Sequence, residues 1–235
     1  MKRHGYTFIE LLSVLVVVSV LAIGLLPVLA RNVEQTHEQE NARRRQCGSN
    51  LKQIALAVMQ YAQDFDEKYP LVSTTPGRVS NFAGSGQPFL KAFGWADVTS
   101  SYTHSTKVYQ CPSDRYAFSN NPKRAGYTDY WLNSNLAGQS FAALDSVAQT
   151  VLSGDGDGGS AASTSRYAIN KLPRAWLNTP GSPARRHTTG GIYAFADGHV
   201  KWLKPERVTT AKTSAVITSR GGTFSIKIDD EAPRK

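Results

Sequence analysis

The sequence predicts an α+β chain in which a long N-terminal helix precedes a β-rich domain of short strands and extended loops. Three observations predict it. Residues 11–30 hold no charged side chain, and residues 31–46 hold almost no large apolar one. Beyond Pro70 the chain breaks into short alternating runs between clusters of Gly, Pro, Ser and Asn. At 235 residues it suits one globular domain of about 100–200 residues plus an appendage.

The first element runs from Tyr6 to Ala30, 25 residues whose one ionisable side chain is Glu10. As a helix rising about 1.5 Å per residue, it can cross a hydrocarbon core of about 30 Å. A secretory signal peptide would share the basic start Lys2-Arg3-His4, but its apolar stretch is shorter and carries no acid. A carboxylate inside such a helix costs a few kcal/mol on insertion scales, which marks Glu10 as functional. Pro27 lacks an N–H and crowds the carbonyl of Ile23, and Gly24 adds backbone freedom, so a kink or local melting is expected there.

Residues 31–68 continue as a polar helical stalk and then an amphipathic helix. Leu51, Ile54, Ala55, Val58, Tyr61, Ala62 and Phe65 fall at steps of three and four, and that face must be covered. Gly48 with Ser49 and Asn50 could divide the helix into two collinear pieces, and Pro70 lies beyond its end. Strands are expected over Thr106–Gln110, Tyr127–Leu132, Thr150–Ser153, Arg166–Asn170, Ser214–Thr218 and Thr223–Ile228, with Ser73–Gly94 a loop. The clearest hairpin signal is Asp197-Gly198 between GIYAFA and HVKWL. A two-residue type I′ turn there would pair Phe195 with Val200 and Tyr193 with Trp202 on the face that meets the helix.

The run Lys2-Arg3-His4-Gly5, then Tyr6-Thr7-Phe8-Ile9-Glu10, then an unbroken apolar helix, resembles the class III leader of type IV prepilins and type II secretion pseudopilins. The resemblance implies cleavage after Gly5 by a prepilin peptidase, methylation of the Tyr6 amine, and an assembly role for Glu10. It further implies a pilin-like α+β fold, the long N-terminal helix packed by its later part on an antiparallel β-sheet with extended loops, a kink at Pro27, an inner-membrane precursor with its N-terminus cytoplasmic, and a mature domain outside. Tyr6 departs from the usual Phe but keeps an aromatic. The implied partners are other copies of the chain in a helical filament and an inner-membrane assembly platform. Segments divide as leader 1–5, membrane or filament-core helix 6–30, stalk and amphipathic helix 31–68, and β-rich domain 69–235. The phrases Cys47-Gly-Ser-Asn-Leu-Lys-Gln-Ile, Gln110-Cys-Pro-Ser-Asp114 and His187-TTGGIYAFA-Asp197-Gly198 resemble a prepilin-associated family named for a His-x9-Asp-Gly motif. That family implies no catalytic activity, and His187 reads as a hydrogen-bonding residue that pins a loop to the hairpin.

Composition narrows the rest. The net charge of +9 is scattered, with short clusters at Arg43–Arg45, Lys123-Arg124 and Arg185-Arg186. It allows a second function class, a filament-tip subunit binding nucleic acid or another surface ligand. Two cysteines, Cys47 and Cys111, form either one bridge or two buried thiols. Asp155 and Asp157, in a Gly-rich run, are candidate calcium ligands, although no downstream Glu closes an EF-hand loop. The same run is a poor dinucleotide fingerprint because no apolar helix follows. Ser49-Asn-Leu-Lys52 lacks the partner motifs of an acyl-transfer enzyme. No catalytic residue and no cofactor beyond calcium is expected.

Overall fold

The computed structural model describes residues 8–73, 94–114, 127–158, 164–213, 216–217 and 220–228, and of residues 22–37 the backbone alone. Helix α1 covers Phe8–Asp64. The chain divides into two compact units, Met1–Ala42 and Arg43–Lys235. In the first, every large apolar side chain from Phe8 to Leu21 is at least half exposed, from 50% at Leu12 to 82% at Phe8. Backbone helix runs through Gly24 and Pro27, and α1 also passes Gly48 without a break.

The second unit is built around one sheet. Its elements are α2 (Trp95–Thr103), β1 (Tyr130–Asn133), β2 (Val151–Asp155), β3 (Ala168–Ile169), α3 (Arg174–Asn178), β4 (Gly191–Phe195), β5 (Val200–Leu203), β6 (Val208–Thr209) and β7 (Gly222–Thr223). Five strands form the order β3-β1-β2-β4-β5, antiparallel except for the parallel β1–β3 pair, and β6 and β7 form a separate parallel pair. Every residue of β1, β2 and β4 is buried, so the sheet is covered on both faces. On one face Leu51, Ile54, Ala55 and Val58 of α1 join Tyr130, Leu132, Leu152, Ile192 and Ala194 in a single core. On the other, Trp131, Val151, Tyr193 and Phe195 join Trp176, Leu203 and Phe224. Burying each Leu, Ile, Val or Phe side chain of these cores stabilises the unit by about 1.5–3 kcal/mol. The expected face of α1 is therefore present, with Tyr61 and Phe65 half-buried at its end and stacked at 4.3 Å.

Several expected strands take other forms. Thr106–Tyr109 is a 3₁₀ turn with Val108 and Tyr109 buried. Val216 and Ile217 are helical, and β7 is only Gly222–Thr223; residues 214–215 and 218–219 lie outside the described residues. Most of the expected loop, 74–93, also lies outside them, with Ser73 bridging Gly94. Helix α2 arises where no element was expected. The Gly94 amide donates to Asp97 Oδ2 at 3.1 Å to start it, and Trp95 Nε1 donates to the Tyr167 carbonyl at 2.8 Å.

The hairpin corrects the expected register by one residue. Ile192 pairs with Trp202, Tyr193 with Lys201 and Ala194 with Val200. The Gly198 amide donates to the Phe195 carbonyl at 2.8 Å, and Phe195 donates to His199 at 2.9 Å. Only Gly198 has positive φ, +83°, and Asp197 does not. The connection is thus a type I turn followed by a left-handed glycine, a three-residue loop rather than a type I′ pair. Since one step of register exchanges the two faces, Ile192 and Ala194 meet the α1 core and Tyr193 and Phe195 fill the opposite one.

Candidate functional site

Two places hold the residues singled out by sequence. The first is the N-terminal segment. Gly5 and Tyr6 lie outside the described residues; Glu10 lies in the first turn of α1, exposed among exposed apolar neighbours. Ser13 Oγ and Ser19 Oγ donate to the carbonyls of Glu10 and Leu15 at 2.8 and 2.7 Å, so their hydroxyls add little polarity to the surface. Among the described residues no helix is long and apolar enough to cross a membrane. Described apolar side chains end at Leu21, about 21 Å of helix from Phe8, and the rest of the expected span lies outside the described side chains.

The second place is a buried polar cluster in the second unit. Cys47 of α1 is bonded to Cys111, which follows the 3₁₀ turn, with Cα atoms 5.2 Å apart and both residues fully buried. His187, also fully buried, brings Nε2 to 3.7 Å from Cys111 Sγ and 3.4 Å from Asp155 Oδ2. Asp155 ends β2, where its Oδ2 also accepts the Ile192 N–H at 2.6 Å; its Oδ1 is buried without a partner among the described residues. Asp129 Oδ2 accepts the Cys111 N–H at 2.7 Å. Burial, then the neighbouring Asp114 carboxylate, pushes Asp129 up to about 7. Burial, then Asp155, drives the Tyr130 hydroxyl well above its ordinary range.

The His187 backbone pins the loop to the hairpin, and its ring makes separate contacts. Its carbonyl accepts Trp202 Nε1 at 2.7 Å and its N–H donates to Gly190 at 2.8 Å, tying the loop to the hairpin. Between them Thr188 and Thr189 both adopt left-handed φ, +53° and +70°. The imidazole instead faces the bridge and Asp155, contacts spanning 76 and 32 positions in sequence that no local spacing reveals. Asp114 and Asp129 belong to the same cluster and were missed. Cys-Pro-Ser-Asp114 and Thr128-Asp129, acids beside a cysteine or in a strand entry, were the available signals.

Other candidates are engaged elsewhere. Asp157 Oδ1 accepts the Tyr167 hydroxyl at 2.6 Å, so it and Asp155 serve separate networks. Among the described residues the metal-capable group is Cys47, Cys111 and His187. Asp197 Oδ1 accepts the His199 N–H at 3.0 Å, and Lys52 Nζ donates to the Gly198 carbonyl at 2.6 Å, fastening the hairpin turn to α1. Arg186 pairs with Asp114 at 3.2 Å, Arg185 pairs with Glu206, and Arg44 lies over the Trp202 ring at 5.4 Å. Lys123-Arg124 lies outside the described residues.

Residues 1–26 match the prokaryotic N-terminal methylation motif. Residues 36–97 match a family described as a protein of unknown function, DUF1559. No curated protein and no solved structure matches the chain.

Proposed function

We propose that this chain, whose residues 1–26 match the prokaryotic N-terminal methylation motif and whose residues 36–97 match DUF1559, is a structural subunit of a type IV pilus-like or type II secretion-like filament. Prepilin peptidase cuts after Gly5 and the Tyr6 amine is methylated. The apolar first part of α1 holds the precursor in the inner membrane and then packs in the filament core, delivered by an inner-membrane platform.

The observation that supports this best is the exposure of the apolar side chains from Phe8 to Leu21, around a helix that also bears Glu10. A helix apolar on all sides must be covered, by lipid or by other helices. Glu10 is costly in either setting unless paired, and the Tyr6 amine of the same or a neighbouring subunit is the cation that cleavage creates. A tip subunit that binds nucleic acid finds less support, since Arg44, Arg185 and Arg186 are engaged within the domain.

Mass spectrometry of the membrane or filament fraction tests the reading. It should find a chain beginning at N-methylated Tyr6, and Gly5→Ala should accumulate as uncut precursor. A mature wild-type chain that still begins at Met1 refutes the proposal.

A further inference from the structure

The buried cluster contains four side chains with metal-ligating atoms, supplied by four separate parts of the fold. The sulfurs of Cys47 and Cys111 and a ring nitrogen of His187 lie within 4.8 Å of one another. Asp155 adds a carboxylate whose Oδ1 is buried without a partner among the described residues. Leaving such an oxygen unpaired is costly, which points to a missing positive neighbour.

The distances can be compared with those a metal imposes. Zinc holds thiolate sulfur at about 2.3 Å and imidazole nitrogen or carboxylate oxygen at about 2.0–2.2 Å in a tetrahedron. Those bond lengths set nitrogen and oxygen about 3.4 Å apart, sulfur and nitrogen about 3.6 Å apart, and two sulfurs about 3.8 Å apart. Here His187 Nε2 stands 3.4 Å from Asp155 Oδ2 and 3.7 Å from Cys111 Sγ. Two of the tetrahedron's edges are therefore already in place. The edge between the sulfurs must open, because the two are bonded, and Asp155, which stands outside the group of donors lying within 4.8 Å of one another, must move closer to the sulfurs.

We propose that with the Cys47–Cys111 bridge reduced, Cys47, Cys111, His187 and Asp155 hold one zinc ion in a closed structural site. A dithiol reductant opens the bridge by giving two electrons and two protons to the sulfurs and closing to its own disulfide. Binding then releases the two thiol protons to solvent as both sulfurs bond the ion, whose oxidation state does not change. Two sulfurs and an imidazole select zinc over calcium or magnesium, which take oxygen. The N–H of Ile192 on Asp155 Oδ2 and the Asp129 carboxylate on the Cys111 N–H would orient two of the ligands. All four residues are buried, leaving no open coordination position for catalysis. The inference rests on these donors and is independent of the filament reading.

The test is a metal titration of the full-length chain in detergent, reduced and stripped by a chelator. Co²⁺ should bind once per chain with the sulfur-to-cobalt absorption of a tetrahedral thiolate site, and Zn²⁺ should displace it. The disulfide-bonded chain should take up none. His187→Ala and Asp155→Asn should each weaken binding by about tenfold or more. Reduced wild-type protein whose two thiols both titrate yet which gives no sulfur–cobalt band overturns the proposal. An affinity unchanged in both variants overturns it as well, since two thiolates alone would then account for the metal. If reduction unfolds the domain, recovery of its circular dichroism on adding Zn²⁺ supports the site and failure to recover refutes it.

Discussion

Replacing Thr188 by Asn and Thr189 by Gly should stabilise the domain. Both threonines sit at left-handed φ in the turn between His187 and Gly190, and both side chains are exposed, so little contact is lost by changing them. A left-handed conformation costs an L-residue with a Cβ roughly 1–2 kcal/mol, and β-branching makes it harder still. Asn tolerates this region, so Thr188→Asn should recover about 1 kcal/mol. Glycine at 189 removes the clash but gives back about 0.5–1 kcal/mol of chain entropy, leaving a net gain of about 0.5–1 kcal/mol. Together the two changes are worth about 1.5–2 kcal/mol. For a unit of this size each kcal/mol moves the midpoint by about 2–4 °C, so the double variant should melt roughly 3–8 °C higher. Near-ultraviolet circular dichroism reads this directly, because the Trp131 ring lies 6.1 Å from that of Tyr193 and Trp202 pairs with Ile192, both partners being on the strand the turn leads into. An unchanged or lower midpoint would show that the paired left-handed threonines are not strained, and would refute the reasoning.

Other outcomes follow from the same contacts. Glu10→Val should be cleaved normally but give few filaments, since insertion becomes easier while the Tyr6 amine loses its partner; normal filament yield would remove Glu10 from assembly. In the disulfide-bonded chain, Asp129 is pushed from 3.8 up to about 7 by burial and Asp114, with Arg186 opposing. Between those values the folded state binds more protons than the unfolded, so stability falls as pH rises from about 4 to about 7. Asp129→Asn should flatten that fall in denaturant titrations, with about 4 kcal/mol as the ceiling; a slope identical to wild type would exclude Asp129 as its source. Cys47→Ala with Cys111→Ala opens a covalent loop spanning 64 positions. Measured with chelator present, it should cost about 4 kcal/mol on the chain-entropy estimate, and a loss below about 1 kcal/mol would contradict that origin.

The features legible in the sequence are those encoded locally. The N-terminal leader, the apolar face at Leu51, Ile54, Ala55 and Val58, and the Asp197-Gly198 reversal each depend on neighbours within a few residues. The hairpin's register was less legible for a definite reason. Ile192, Tyr193, Ala194 and Phe195 are all buried, because the sheet has a core on each side, so alternation of polarity carries no record of which face is which. Helix α2 was hidden by its composition, since Val98, Thr99, Ser100 and Ser101 are poor helix formers; the signal was Asp97 three residues after Gly94. The Cys-His-Asp cluster was hidden by distance along the chain. Sheet order brings β2 beside β4 and α1 over both, and only that assembly sets Asp155 and His187 against the bridge.

The bridge between α1 and the segment after the 3₁₀ turn also fixes how the domain bears tension. Force entering along α1 reaches Cys47 and crosses directly to Cys111, so residues 48–110 stand outside the load-bearing path to the rest of the chain. Extended, a stretch spanning 64 positions would be about 220 Å long. None of that length can pay out under pulling while the bond holds. A subunit towed by its N-terminal helix would yield first in the segments after Cys111, and reduction would turn a short, stiff tether into a long one.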